Sequence, residues 1–173
     1  MNAIDVGLVA LGLFYVFAGV VAARAALVSW LLDRALASIG GRRPDRREAA
    51  QAAWLLVAAN IVLAGGTALA MRLDASPWLF ALSLAGQGAY LTLATRYFDA
   101  EDAPDPAGRR QTRNAACVYA LATGLVAWAA YAGRLQPLSS IEPSLLLVAC
   151  AAVVAHAGYV LWRALQPMAA GAV

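Results

Sequence analysis

The run "AAQAAWLLVAANIVLAGGTALAM", residues 49–71, carries no charged side chain. It is longer than the roughly 20 apolar residues that a helix needs to cross a lipid bilayer. Its residues do not alternate between polar and apolar, as they would along a strand of a membrane β-barrel. The run therefore predicts a membrane-spanning α-helix and favours an all-α integral membrane fold.

The composition of the whole chain supports the same fold class. Of its 173 residues, 62% are hydrophobic and 13% are charged, whereas a soluble domain is about half apolar with about a quarter of its residues charged. The length fits a single membrane domain, residues 1–173. Five transmembrane helices are predicted, over residues 6–23 (with an extension to about 32), 49–71, 77–95, 115–133 and 143–162.

The first of these helices contains Arg24, which leaves two interpretations. Either the span ends near Arg24 and the remainder lies at the cytoplasmic interface, or one tilted helix runs on to about Ser38. A helix that lies on a membrane surface has a clean apolar face, but the polar residues between 24 and 38 scatter around the helical wheel. We therefore predict one leading helix over residues 5–38, with the Arg24 guanidinium extended toward the headgroups.

Arginine positions predict the orientation. All thirteen basic residues are Arg, and the formal net charge is +3. Ten arginines lie in the links that follow the first and third spans or directly after the fifth span, and two lie in the other links. Because short cytoplasmic links carry the excess of Arg, we expect the N-terminus outside and the C-terminus in the cytoplasm, in a bacterial-type inner membrane.

Four of these arginines open two of the predicted helices at the cytoplasmic face: Arg46, Arg47, Arg109 and Arg110. A cation at a helix N-terminus opposes the helix dipole, so another interaction must favour it there. Anionic lipid headgroups are the expected partner, and a docked cytoplasmic protein is the alternative. Charge spread between apolar runs is not the footprint of a nucleic-acid binder, and no nucleic-acid partner is expected.

The same arginines mark an internal repeat. "RREAAQAA" at residues 46–53 resembles "RRQTRNAA" at residues 109–116, and each is followed by an "RL" pair, at Arg72 and Arg134. The repeat predicts two tandem helical hairpins, residues 46–98 and 109–165, related by an axis along the membrane normal. Their four helices would form a pseudo-two-fold bundle, with the long first helix against its side.

Six polar residues lie near the middle of the predicted spans: Asn60, Gln87, Tyr90, Thr123, His156 and Tyr159. A polar side chain in hydrocarbon needs a partner. We predict interhelical hydrogen bonds within each hairpin, Asn60 with Gln87 and Thr123 with His156, worth about 1 kcal/mol each. The two tyrosines would extend these networks.

The alternative is a midplane site for a quinone, a haem or a small polar substrate, since ionisable groups inside a membrane are functional candidates. Haem is disfavoured because His156 is the only histidine and would need a second axial ligand from elsewhere. A retinal Schiff base is excluded because the chain contains no Lys.

Other chemistry finds no support in the sequence. No Asp or Glu lies mid-span, as proton-driven pumps and cation transporters usually require. The chain lacks HExxH, GxSxG, CxxC and Walker motifs, so we assign no catalytic residue, metal site or cofactor. We expect an accessory, assembly or scaffold subunit of a membrane complex, with a membrane-protein partner or self-association. A small-molecule binding or transport protein is the alternative, and an enzyme comes third.

Overall fold

The computed structural model describes residues 2–41, 45–97 and 106–166, and within them every side chain except those of residues 93–97, 106–109, 111 and 112. A 3₁₀ turn, Leu138–Ser140, precedes the last of five α-helices. The described residues contain no β-strand, so the predicted all-helical class is confirmed. The helices are α1 Ala3–Ile39, α2 Arg46–Ala70, α3 Ser76–Tyr97, α4 Pro106–Tyr131 and α5 Pro143–Leu165.

Among the residues whose side chains the structure describes, four segments are long and apolar enough to cross a membrane: Ala3–Ile39, Arg46–Ala70, Arg113–Tyr131 and Pro143–Leu165. They correspond to four of the five predicted spans. The remaining predicted span, residues 77–95, forms α3, a helix of 22 residues whose side chains are described only as far as Thr92.

The first helix is a single element of 37 residues, about 55 Å long at the usual helical rise. It begins with a capping box in which the Asn2 side chain accepts from the Asp5 main-chain N–H and the Asp5 carboxylate accepts from that of Asn2. The helix passes through Arg24 without a break and ends at Ile39. It has the form of one long helix, not of a short span followed by a surface helix.

The closest packing joins α1 to α2 through glycines. A Cβ atom on Gly66 would lie 2.6 Å from the main-chain nitrogen of Val16, and one on Gly19 would lie 2.7 Å from that of Leu63. A Cβ on Gly12 would also meet main-chain atoms of α2. Because backbone cannot move aside as a side chain can, these positions require glycine for the two helices to approach this closely.

The order of packing differs from the predicted pseudo-two-fold bundle. Helix α1 packs along α2, α2 on α3 and α3 on α4, whereas α5 packs against α1 and α2 and not along α4. The predicted arrangement, with α1 at the side of four repeat helices, is therefore wrong. The physical reason for the difference is the glycine contact. It makes α1 the main packing partner of α2, so α5 packs across both α1 and α2.

Two hydrophobic clusters form the core. One cluster joins α1, α2, α3 and α4, and the other joins α1, α2 and α5. The first is centred on the rings of Tyr15, Phe80 and Tyr119: Tyr15 meets each of the other two edge-on, at centroid distances of 5.1 and 5.2 Å. Phe80 and Tyr119 stack at 5.4 Å. The second cluster includes Leu27 of α1 and Val160 of α5.

Candidate functional site

The six polar residues proposed as a midplane site do not lie in one place. Asn60 of α2 lies against His156 of α5, with Oδ1 and Nδ1 separated by 3.4 Å. The Asn60 amide also donates to the carbonyl of Leu56 at 2.8 Å. The pairing predicted within each hairpin is therefore wrong, because α5 docks on α2 and brings His156 to Asn60. Within the described residues, the buried Nε2 atom of His156 makes no hydrogen bond.

Thr123 and Tyr159 take no part in this contact. The Thr123 hydroxyl donates to the carbonyl of Tyr119, one turn back in its own helix, at 2.9 Å. Tyr159 is 52% exposed on α5, and its ring centroid lies 6.4 Å from that of Trp162. Neither residue extends the polar network expected of it.

Gln87 and Tyr90 of α3 line a separate cavity of about 540 Å³. Its walls come from α1, α2, α3 and α4, and they include Trp54 and Tyr119. At this cavity the Tyr90 hydroxyl accepts a hydrogen bond from the side-chain amide of Gln51, at 3.0 Å. The structure thus divides the six candidates among an α2–α5 contact, an open cavity and two isolated positions.

Tyr119 is a residue that the sequence analysis did not single out. Its side chain is 5% exposed, yet its buried hydroxyl makes no hydrogen bond within the described residues. The Ser83 hydroxyl of α3 is buried as well and likewise makes no hydrogen bond within the described residues. A tyrosine within a predicted span was the available signal, but the repeat alignment did not mark it.

A polar clasp at one end of the molecule was also missed. The carboxylate of Asp5, 8% exposed as a residue, forms an ion pair with the guanidinium of Arg72, Oδ1 to Nη2, at 3.3 Å. Arg72 also donates to the carbonyl of Arg134, at 2.7 Å from Nη2. Its own carbonyl accepts from Gln136 at 2.7 Å. The clasp therefore ties the start of α1 to the turns that follow α2 and α4.

The opposite end of the bundle is held by α1 and α5. The indole of Trp30 donates to the carbonyl of Ala164 at 3.2 Å, and Arg34 donates to the same carbonyl at 3.0 Å. Arg34 also donates to the carbonyl of Gln166 at 3.1 Å. These donors satisfy carbonyls that a helix C-terminus leaves without partners, and the cation matches the negative end of the helix dipole.

The arginines assigned to headgroup or partner contact lie at helix starts. Arg46 and Arg47 are exposed, and the Asp45 and Glu48 carboxylates cap the same helix. These acids complement the dipole that the arginines oppose. Arg110 is exposed at the start of α4, whereas the side chain of Arg109 lies outside the described residues.

Arg24 stands apart from all these groups. It is exposed on α1, and within the described residues it makes neither a hydrogen bond nor an ion pair. Its neighbours along the same exposed stripe are large and apolar: Phe17 and Val28 are 69% and 55% exposed. A charged side chain therefore lies alone on an apolar helix face.

No protein-family model, curated protein or solved structure matches the chain.

Proposed function

We propose that this chain is a small polytopic protein of a bacterial-type inner membrane, with five spans, and that it is an accessory, assembly or scaffold subunit of a larger membrane complex. The observation that carries the proposal is Arg24, a cation on the exposed face of α1 that makes no ion pair within the described residues. Charged residues within a membrane usually face the bundle interior and pair with another group. A partner helix would supply the missing counter-charge.

The length of α1 supports a position for Arg24 inside the membrane. Asp5 and Arg34 lie about 44 Å apart along the helix axis, close to the roughly 40–45 Å thickness of a bilayer with its headgroup regions. Arg24 lies about 15 Å from the level of Arg34. The exposed apolar surface continues past it, through Val28 and Leu32 of the same helix.

Contact with the headgroups, which the sequence predicted for the Arg24 guanidinium, is a poor explanation for this cation. A helical Cβ tilts toward the helix N-terminus, and in the proposed orientation the N-terminus of α1 lies outside. The Arg24 side chain therefore starts toward the membrane centre and away from the nearer, cytoplasmic headgroups. A carboxylate on a neighbouring helix would neutralise the guanidinium without requiring the side chain to turn back toward the headgroups.

The exposed stripe of α1 fits a helix partner. Phe14, Phe17, Val21, Arg24 and Val28 follow one another at spacings of three and four residues, the pattern of a helix–helix seam. Two copies of this chain in one membrane have the same orientation, so a symmetric contact through this stripe would oppose two arginines. A different chain with an Asp or Glu at the same depth is the better match.

The proposal is tested by native mass spectrometry of the tagged protein, drawn gently from its own membranes. The expected result is a stoichiometric complex with a membrane subunit that carries a carboxylate within one span. Arg24→Leu should lose the partner, whereas Arg113→Leu, which removes an exposed arginine from the start of α4, should retain it. A wild-type protein without a protein partner, or a complex that survives Arg24→Leu unchanged, would contradict the proposal.

Small-molecule binding or transport is the second candidate function. The specific observation in its favour is the cavity at Gln87 and Tyr90. Asn60, Thr123, His156 and Tyr159 do not line this cavity, so a binding function would rest on α3 and α4 and not on the six-residue midplane site.

A further inference from the structure

We propose that the groove between α3 and α5, floored by α2, binds one anionic phospholipid of the cytoplasmic leaflet. This groove, called the α2 groove below, holds a cavity of about 340 Å³ with walls from all three helices. Small-molecule sites usually have volumes of about 300–1,000 Å³. The inference needs the proposed orientation of the protein in the membrane but not the proposed partner, because Arg24 of α1 does not line the groove.

The wall of the α2 groove is open and almost entirely apolar. Val57 of α2 and Leu161 of α5 belong to it and are 60% and 57% exposed. Its one amide, that of Asn60, is already engaged with the Leu56 carbonyl and with His156. None of the described residues in the wall is charged. In a protein that spans a membrane, such an opening faces hydrocarbon, so an acyl chain can lie in it.

The floor of the groove continues along α2 to a cation. Ala50, Ala53 and Val57 follow Arg46 at spacings of four, three and four residues, so the four side chains share one face of the helix. Ala50 and Ala53 are small and exposed, and they leave room for a chain beside the helix. The guanidinium of Arg46 is exposed and makes neither a hydrogen bond nor an ion pair in the part of the chain that the structure describes.

The distance from this cation to the groove matches the depth of one leaflet. The levels of Arg46 and Ile61 are about 22 Å apart along α2. Half of a bilayer with its headgroup regions is about 20–22 Å thick. A phospholipid whose phosphate lies beside Arg46 therefore places its chain ends at the level of Ile61, which lines the groove.

The charges at the two ends of the groove place the headgroup on the cytoplasmic side. In the turns that follow α2 and α4, the exposed charged residues are Asp74 and Glu142, both acidic, whereas Arg72 and Arg134 are half-buried. At the opposite end of α2 the exposed Arg46 offers a positive charge. An anionic group is complementary to this end and is repelled by the carboxylates at the other.

Only an amphiphile matches both the cation and the groove. The Asp45 and Glu48 carboxylates accept from main-chain N–H groups in the capping box of α2, and neither forms an ion pair with Arg46 within the described residues. A soluble anion would pair with Arg46 but leave the groove empty. A partner helix would fill the groove but needs no cation at its end. An anionic phospholipid supplies a phosphate and an apolar chain one leaflet long.

The test is native mass spectrometry of the full-length protein, purified in mild detergent without a partner, stripped of lipid and titrated with phosphatidylglycerol or phosphatidylcholine. The wild type should bind one phosphatidylglycerol in preference to phosphatidylcholine, and excess inorganic phosphate should not displace it. Arg46→Gln should weaken this binding by about 5-fold, the value of one basic residue near anionic headgroups. Arg110→Gln removes an exposed arginine at the start of α4 and should leave it unchanged.

A second pair of variants tests the groove itself. Val57→Trp adds bulk inside the groove from a largely exposed position and should weaken the binding of phosphatidylglycerol. Val118→Trp makes the same change on α4, at a position that is 63% exposed and outside the groove, and should not. Circular dichroism checks that both variants fold.

Three results would overturn the proposal. They are equal binding of the two lipids by the wild type, equal effects of Arg46→Gln and Arg110→Gln, and unchanged lipid binding by Val57→Trp. If Val57→Trp instead releases a protein subunit in native membranes while it still binds phosphatidylglycerol, the groove holds a helix and not a lipid. Arg24→Leu should bind phosphatidylglycerol as the wild type does, so failure of the lipid site and failure of partner docking are separate outcomes.

Discussion

The contact between α1 and α2 can be tested at one atom. In Gly66→Ala the new Cβ would lie 2.6 Å from the nitrogen of Val16, 2.8 Å from the carbonyl carbon of Tyr15 and 2.9 Å from the oxygen of Gly12. Carbon atoms in favourable contact lie about 3.5–4.0 Å apart, so the two helices must separate by roughly 1 Å. All three obstacles are main-chain atoms, and no rotamer change relieves them.

The expected cost follows from a matched control. A Cβ on Gly88 of α3 would meet nothing within 4 Å, so Gly88→Ala makes the same chemical change without a clash. Both variants gain the same helix propensity, up to about 1 kcal/mol, and this gain cancels in the comparison. The difference between them is the overpacking cost, about 1–3 kcal/mol against Gly66→Ala.

The assay is reversible unfolding of the purified protein by sodium dodecyl sulfate titrated into mild-detergent micelles, followed by circular dichroism. Gly66→Ala should unfold at a lower mole fraction of the denaturing detergent than Gly88→Ala. Equal midpoints for the two variants would refute the close helix contact, and a more stable Gly66→Ala would refute the packing of α1 on α2.

Three further predictions concern the two ends of the bundle and its orientation. Arg72→Gln breaks the ion pair with the partly buried Asp5 carboxylate and should lower the free energy of unfolding by about 1.5–3 kcal/mol. If adding Asp5→Asn to this variant lowers the free energy of unfolding by a further, equal amount, the two residues do not interact. His156→Leu removes a single 3.4 Å contact with Asn60 and should cost about 1 kcal/mol or less, measured in the same detergent titration; a loss of several kcal/mol would point to a further partner of the ring. Green fluorescent protein fused after the C-terminus should fluoresce in a bacterial host, since the C-terminus is proposed to be cytoplasmic, and a dark but well-expressed fusion would reverse the proposed orientation.

The positions of α2 and α5 were predictable because each is written as a long run without a charged residue. The run at residues 143–162 became α5, Pro143–Leu165, and the run at residues 49–71 became α2, Arg46–Ala70. The Asp45 cap starts α2 at Arg46, before its apolar run begins, whereas α5 begins with its run at Pro143 and continues past it to Leu165. Hydrophobicity alone locates the middle of a helix but not the residues at which the helix begins and ends.

The contacts between helices were not predictable in the same way. In an Ala-rich helix nearly every face is small and apolar, so the sequence does not mark which face meets which neighbour. The site of closest approach depends on Gly12 and Gly19 of α1 meeting α2. This packing of α1 on α2 leaves α5 to lie across both helices, and His156 of α5 therefore contacts Asn60 of α2.

Part of the candidate site could be predicted from the sequence. Gln87 and Tyr90 stood out as polar residues in an apolar run, and both line the cavity whose walls come from α1, α2, α3 and α4. Tyr119 did not stand out, because it is distinguished only by its burial against Tyr15 and Phe80 and by a hydroxyl that makes no hydrogen bond within the described residues. Burial and hydrogen-bond satisfaction are properties of the packed molecule.

The central claim, that the exposed face of α1 docks a partner helix, is tested most directly by photo-crosslinking in native membranes. A photoreactive residue at Val21, beside Arg24, should give one discrete protein adduct. The same probe at Leu147, 70% exposed on α5, should give none, and Arg24→Leu should abolish the adduct at Val21. The claim would be contradicted if the probes at Val21 and Leu147 reacted to the same extent and gave only lipid adducts.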